Sequence, residues 1–181
     1  MLDTKEYLGT YVPKYRLRTM HDINASRLHN LLQQAREDFI SHPDSLTSYI
    51  ALISSMASPA VFQQIDKLFQ EPFFKIELAG HARTVARGWI ANRNLTLLTH
   101  TGLRKTVELC TKIGKVNEMS AYPFLQAFSD INSMDNVTKD AWVEALKTMQ
   151  NNFDPMEQQS IYNNISRILD TATANGAGNQ S

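Results

Sequence analysis

Apolar residues recur at spacings of three and four along this chain, in blocks cut short by a proline, a glycine or an N-capping polar residue. Such a period suits helices with one buried face, and the alternating pattern of half-buried strands is nearly missing. The first stripe is Leu28, Leu31, Leu32, Ala35 and Phe39. It opens near Asp22, a good N-cap, and stops at His42-Pro43, because the residue before a proline is pushed out of the helical region.

Seven further blocks follow by the same reasoning. Leu46, Tyr49, Ile50 and Ile53 form the second, opening at Asp44 or Ser45. Ser58-Pro59 pairs a cap with proline at the first helical position, ahead of Val61, Phe62, Ile65, Leu68 and Phe69, and Glu71-Pro72 closes that helix. Gly80 precedes Ala82, Val85, Ala86, Trp89 and Ile90. Thr99 or Thr101 caps a block with Leu103, Val107, Cys110 and Ile113, and Gly114 is predicted to take the left-handed position just past its end. Asn117 opens a sixth with Ala121, Phe124, Leu125, Phe128 and Ile131. A seventh, capped within 135–138, carries Trp142, Ala145, Leu146 and Met149. Asp154-Pro155 repeats the cap-plus-proline signal for Ile161, Ile165, Ile168 and Leu169.

The predicted fold is all-α: about eight antiparallel helices stacked as a HEAT-like superhelix, in one domain over residues 1–170. Tyr7, Leu8 and Tyr11 sit in a less regular lead-in, a short helix or an extended arm. After Asp170 the composition collapses to Thr, Ala, Asn, Gly, Gln and Ser, which predicts a disordered tail over 171–181.

Lys+Arg and Asp+Glu number 18 each, so the chain lacks the positive footprint of a nucleic-acid or anionic-membrane binder. No apolar run approaches the ~20 residues of a membrane span. The single Cys110 forbids an internal disulfide and favours a reducing compartment, here taken as the cytoplasm. Three Asn-x-Ser/Thr patterns, at Asn94, Asn136 and Asn164, read as coincidence without a secretory signal.

Chemistry-bearing patterns are scarce. His21, His29, His42, His81 and His100 never stand four residues apart, so no His-Glu-x-x-His zinc helix exists, and each reads as a surface or satisfied interior residue. Cys110 lies on an apolar stripe and reads as an inert buried thiol. Glu37 and Asp38 are adjacent and diverge on a helix. Gly102 and Gly114 are isolated, so no phosphate-cradling loop is formed. Trp89 and Trp142 read as core. The polar candidates near helix starts are His81, Arg83, Arg87, Asn92, Arg93, Asn117 and Glu118. No catalytic residue and no metal ligand is assigned.

Several short motifs resemble the C-terminal domain of aminopeptidase N-type zinc peptidases, the alanyl aminopeptidases of the gluzincin clan. Tyr7-Leu8 with Ile23 and Arg27 is similar to the lead-in of that domain. Ser58-Pro59-Ala60-Val61, Ile65, Leu68 and Phe73-Phe74-Lys75-Ile76 resemble its "SP…V…I…L…HPxFxI" segment. Ala82-Arg83 through Trp89 and Asn92 resemble its "NRxRxL…F…NP" helix and turn, and Val116 to Ala121 occupies the place of its "NPQxAxRL" helix start. The likeness runs from about Tyr7 to Leu169.

The resemblance implies an all-helical superhelix that closes over a catalytic domain, walls an internal cavity and gates peptide entry. The zinc of that family belongs to its catalytic domain, so no cofactor is expected in this chain. The implied partners are an aminopeptidase catalytic domain or another protein, with peptide substrate met through the whole enzyme. Arg83 and Asn117 match the motifs and are the candidate cavity-wall residues, Asn117 having N-cap as its plainer role. Met119 stands where the family has glutamine and Pro123 where it has arginine, so those roles do not transfer. The alternative is a free-standing helical scaffold or a subunit of a larger assembly.

Overall fold

The computed structural model describes residues 25–42 and 45–174. Among these residues the secondary structure is entirely helical: α1 (Ala25–Ile40), α2 (Leu46–Ser54), α3 (Ala60–Leu68), α4 (Ala79–Ala91), α5 (Arg93–Thr96), α6 (His100–Val116), α7 (Glu118–Gln126), a 3-10 turn at Ile131–Ser133, α8 (Asn136–Asn151) and α9 (Gln159–Ala174). Asp22, the lead-in around Tyr7 and Tyr11, and residues 175–181 of the predicted tail lie outside the described residues.

The buried faces follow the predicted stripes. Leu32, Ala35 and Phe39 bury the face of α1, Val61, Ile65 and Leu68 that of α3, and Ala82, Val85, Ala86 and Trp89 that of α4. The buried side chains join in one continuous apolar core. α2 sits between α1, α3 and α4; α4 packs on α7; α7 packs on α6 and α9; α8 closes the far side against α6 and α9. α2 and α4 approach very closely. A Cβ at Gly88 would stand 2.1 Å from the Ser54 hydroxyl, so only glycine allows this crossing.

One helix was not legible in the sequence. The single turn α5 is held from three sides. Trp89 Nε1 donates to Thr106 Oγ1 at 2.7 Å, and that hydroxyl lies 2.9 Å from the carbonyl oxygens of Thr96 and Gly102. Trp142 Nε1 donates to the Leu97 carbonyl at 3.0 Å. The Arg93 guanidinium lies 4.8 Å from the Trp142 ring and pairs with Asp130 at 2.7 Å. Both tryptophans are core, as their spacing implies, and each also donates its one polar hydrogen.

Three boundaries differ from the sequence expectation. Gly114 is not a helix terminator: α6 runs on to Val116, and a Cβ at Gly114 would meet the Phe153 ring at 2.8 Å and Ile161 Cδ1 at 2.9 Å. Its smallness admits two side chains from neighbouring segments. The sixth block breaks at Gln126, and Phe128 and Ile131 reach the core from a turn and the 3-10 segment. The last block starts at Gln159, later than Asp154-Pro155 suggests. Asp154 Oδ1 accepts from Met156 and Glu157 N–H at 2.7 and 3.1 Å, which closes a separate turn first. α9 then continues through the first residues of the predicted tail to Ala174, with Ala172 buried.

Candidate functional site

The two candidate wall residues fall on packed helices but do not form a joint site. Arg83 is exposed on α4 and makes no hydrogen bond or ion pair among the described residues. Asn117 is the N-cap of α7, its side chain accepting from Ser120 N–H at 3.1 Å, while its own N–H closes α6 on the Ile113 carbonyl at 2.8 Å. That links two helices through one residue and satisfies two terminal groups that would otherwise lack partners. α4 packs on α7, yet no hydrogen bond joins Arg83 to Asn117.

Four of the other polar candidates also serve the scaffold. His81 Nδ1 accepts from Lys75 N–H at 3.1 Å and stacks on Phe74. Asn92 donates to the Met56 carbonyl at 2.9 Å, tying α4 to the turn after α2. Arg93 holds Asp130 and Trp142, and Glu118 Oε2 accepts the N–H of Ile161 at 2.7 Å. Arg87 is exposed. An arginine near a helix start is unfavourable to the dipole, and Arg83 has no compensating partner among the described residues.

A cleft missed by sequence reasoning lies between α1, α2 and α3. It encloses about 260 Å³ and is lined by His29, Leu32, Arg36, Tyr49, Lys67 and Glu71 among others. Arg36 donates from Nε and Nη2 to the two oxygens of Glu71 at 2.7 and 2.6 Å, a bidentate pair that fixes one wall. Tyr49 is only 6% exposed, its ring packed among Phe39 and Phe73. Its hydroxyl forms no hydrogen bond among the described residues. Burial first, and the Glu71 carboxylate second, push the phenol up to about 12, with Arg36 opposing. Tyr49 is therefore a proton donor at neutral pH, with both members of the ion pair nearby. Arg36 and Glu71 are 35 positions apart, so no local pattern could have revealed the pair.

Cys110 is fully buried, and burial pushes its thiol up to about 12, which leaves it without nucleophilic character at neutral pH. Among the described residues no three His, Cys, Asp or Glu side chains cluster in a way that could hold a metal ion. No helix among them is long and apolar enough to cross a membrane.

The chain matches no protein-family profile and no curated protein sequence. Its fold does match a solved one, that of Legionella pneumophila aminopeptidase A in complex with aspartic acid, with a TM-score of 0.72 at 15% identity. The match covers 93% of this chain and 21% of that one, so the chain spans about a fifth of the length of that structure. At this identity the likeness is one of fold: the helical array is similar to a helical part of a much longer aminopeptidase.

Proposed function

We propose that this chain forms a non-catalytic helical cap of an aminopeptidase N-like zinc peptidase, packing on a catalytic domain and walling its substrate cavity. The observation that carries this reading is the fold correspondence. Nearly all of this chain superposes on a fifth of an aminopeptidase. The motif resemblance from Tyr7 to Leu169 points the same way.

Two features of the surface support it. Val116 and Met119 are 48% and 60% exposed on either side of the Asn117 cap, which leaves apolar surface at the α6–α7 junction where a second domain could dock. Arg83 stands exposed without a partner among the described residues, as a residue reserved for substrate or for another domain would. In this reading the bond-breaking metal and base belong to the docked domain. The cap contributes shape, exclusion of water and a polar contact to the peptide.

The test is capture of the tagged chain from native extract, followed by assay of the bound fraction on an alanyl-arylamide. The isolated chain is expected to be inactive and the captured complex to hydrolyse the substrate in a chelator-sensitive way. Hydrolysis by the isolated chain would overturn the reading. Stoichiometric recovery of a partner without peptidase activity would favour the free-standing scaffold instead.

A further inference from the structure

We propose that the cleft between α1, α2 and α3 binds a carboxylate attached to an apolar group of about the size of one amino-acid residue. The site would belong to this chain itself, and the inference stands whether or not the chain caps a peptidase.

The Tyr49 ring is held in the core, while its hydroxyl reaches the cleft and bonds to nothing among the described residues, which leaves a donor open to a ligand. Further donors line the cleft. Arg36 gives one N–H each from Nε and Nη2 to Glu71, which leaves both N–H groups of Nη1 and one of Nη2. Lys67, one turn before Glu71 in sequence, lines the same cleft and forms no ion pair among the described residues. Among the described residues the only carboxylate lining the cleft is Glu71, both of whose oxygens are engaged by Arg36, and Gln33 and Gln64 add one amide oxygen each. No lining group is left to offer a two-oxygen acceptor to these donors.

Charge and size narrow the ligand. Among the lining side chains two cations, Arg36 and Lys67, face one anion, Glu71, and Glu37 acts on Arg36 from beside the cleft. So small a positive balance suits a monoanion better than a phosphate dianion. Leu32 and Leu68 supply an apolar wall. The volume of about 260 Å³ lies at the small end of ligand sites. A leucine-sized group ending in a carboxylate fits both properties. It could come from a free acid or from the C-terminal residue of a peptide.

The experiment is calorimetric titration of the full chain with N-acetyl-leucine and with N-acetyl-leucinamide, which differ only in the charged oxygen. The acid is expected to bind at least about tenfold more tightly than the amide, the scale of a charge-assisted hydrogen bond. Tyr49→Phe and Lys67→Gln should each weaken the acid by about tenfold while leaving the amide unchanged. Lys67 is exposed, so its variant reports on the site even if the Tyr49 variant unfolds. N-acetyl-Ala-Ala-Leu separates the sources: tighter binding than the free acid assigns the site to peptide termini, and equal binding assigns it to free acids. Failure of the acid to bind, equal affinity for acid and amide, or a Lys67→Gln variant that binds as the wild type does would each overturn the proposal.

Discussion

The carboxylate of Glu118, in the first turn of α7, accepts the backbone N–H of Ile161, in the first turn of α9, at 2.7 Å. The two residues are 43 positions apart, and the bond lets one helix start cap another. A helix leaves its first N–H groups without internal partners, and a negative charge there also suits the dipole. Glu118 serves its own helix and α9 at once. The late start of α9, past Asp154-Pro155, follows from this: the capping acceptor arrives from α7 and not from the local sequence.

Glu118→Ala should therefore destabilise the fold by about 1–3 kcal/mol, the range for losing a charge-assisted bond to a partly buried N–H. Urea denaturation followed by circular dichroism measures it. Glu118→Gln keeps an acceptor without the charge and should fall between the two. A Glu118→Ala variant as stable as the wild type would show that water replaces the carboxylate at no cost.

Thr106 offers a sharper contrast because its hydroxyl has no water to fall back on. It accepts from Trp89 at 2.7 Å and lies in a fully buried position. Thr106→Val preserves shape and leaves the indole N–H unpaired, a change worth about 1–3 kcal/mol. Thr106→Ser keeps the hydroxyl and loses one methyl, about 1 kcal/mol. Stability should thus order wild type, serine, valine. A valine variant as stable as the wild type, beside a destabilised serine variant, would mean that packing, and not the hydrogen bond, holds α5 in place.

These two examples show what a sequence can and cannot reveal about such a fold. The stripes on α1, α3, α4, α6 and α8 were legible because a helix face repeats locally, and local repetition is visible in one dimension. Thr99 and Asn117 were legible as caps for the same reason: each accepts from the N–H three residues on, at 3.0 and 3.1 Å. α5 was not legible, since its support comes from Trp89, Thr106 and Trp142, all remote from its four residues. The Arg36–Glu71 wall of the cleft joins elements by pairs with no sequence signature. Arg83 could be picked out by motif and is exposed, but a lone arginine carries no geometry that names its ligand.

Gly114 tests the corrected reading directly. As a left-handed terminator it would resist every side chain; inside α6 its hindrance comes from Phe153 and Ile161 alone. Gly114→Ala gains up to about 1 kcal/mol of helix propensity and loses about 1–3 kcal/mol to overpacking, so it should be neutral to destabilising by about 2 kcal/mol. Phe153→Leu removes the ring atoms in the way. In that background Gly114→Ala should cost less, a coupling measurable by a double-mutant cycle. Strictly additive effects would return Gly114 to a backbone role.

His81 gives the fold a dependence on pH whose sign can be worked out. Burial holds its imidazole below its ordinary value of 6.5, and Nδ1 must stay unprotonated to accept from Lys75 N–H. The folded protein thus binds this proton more weakly than the unfolded chain does. Its contribution to stability is complete above 6.5 and is lost as pH falls through the lower folded value. Denaturation midpoints measured at several values between pH 7.5 and pH 4.5 should fall with acidification, first because the Lys75 bond cannot form to a protonated ring. His81→Phe preserves the stack on Phe74 and cannot titrate. It should be less stable than the wild type at pH 7.5 and show a shallower loss below 6.5. If the two proteins lose stability in parallel over that range, the proton is taken up elsewhere and the turn before α4 is fastened by packing alone.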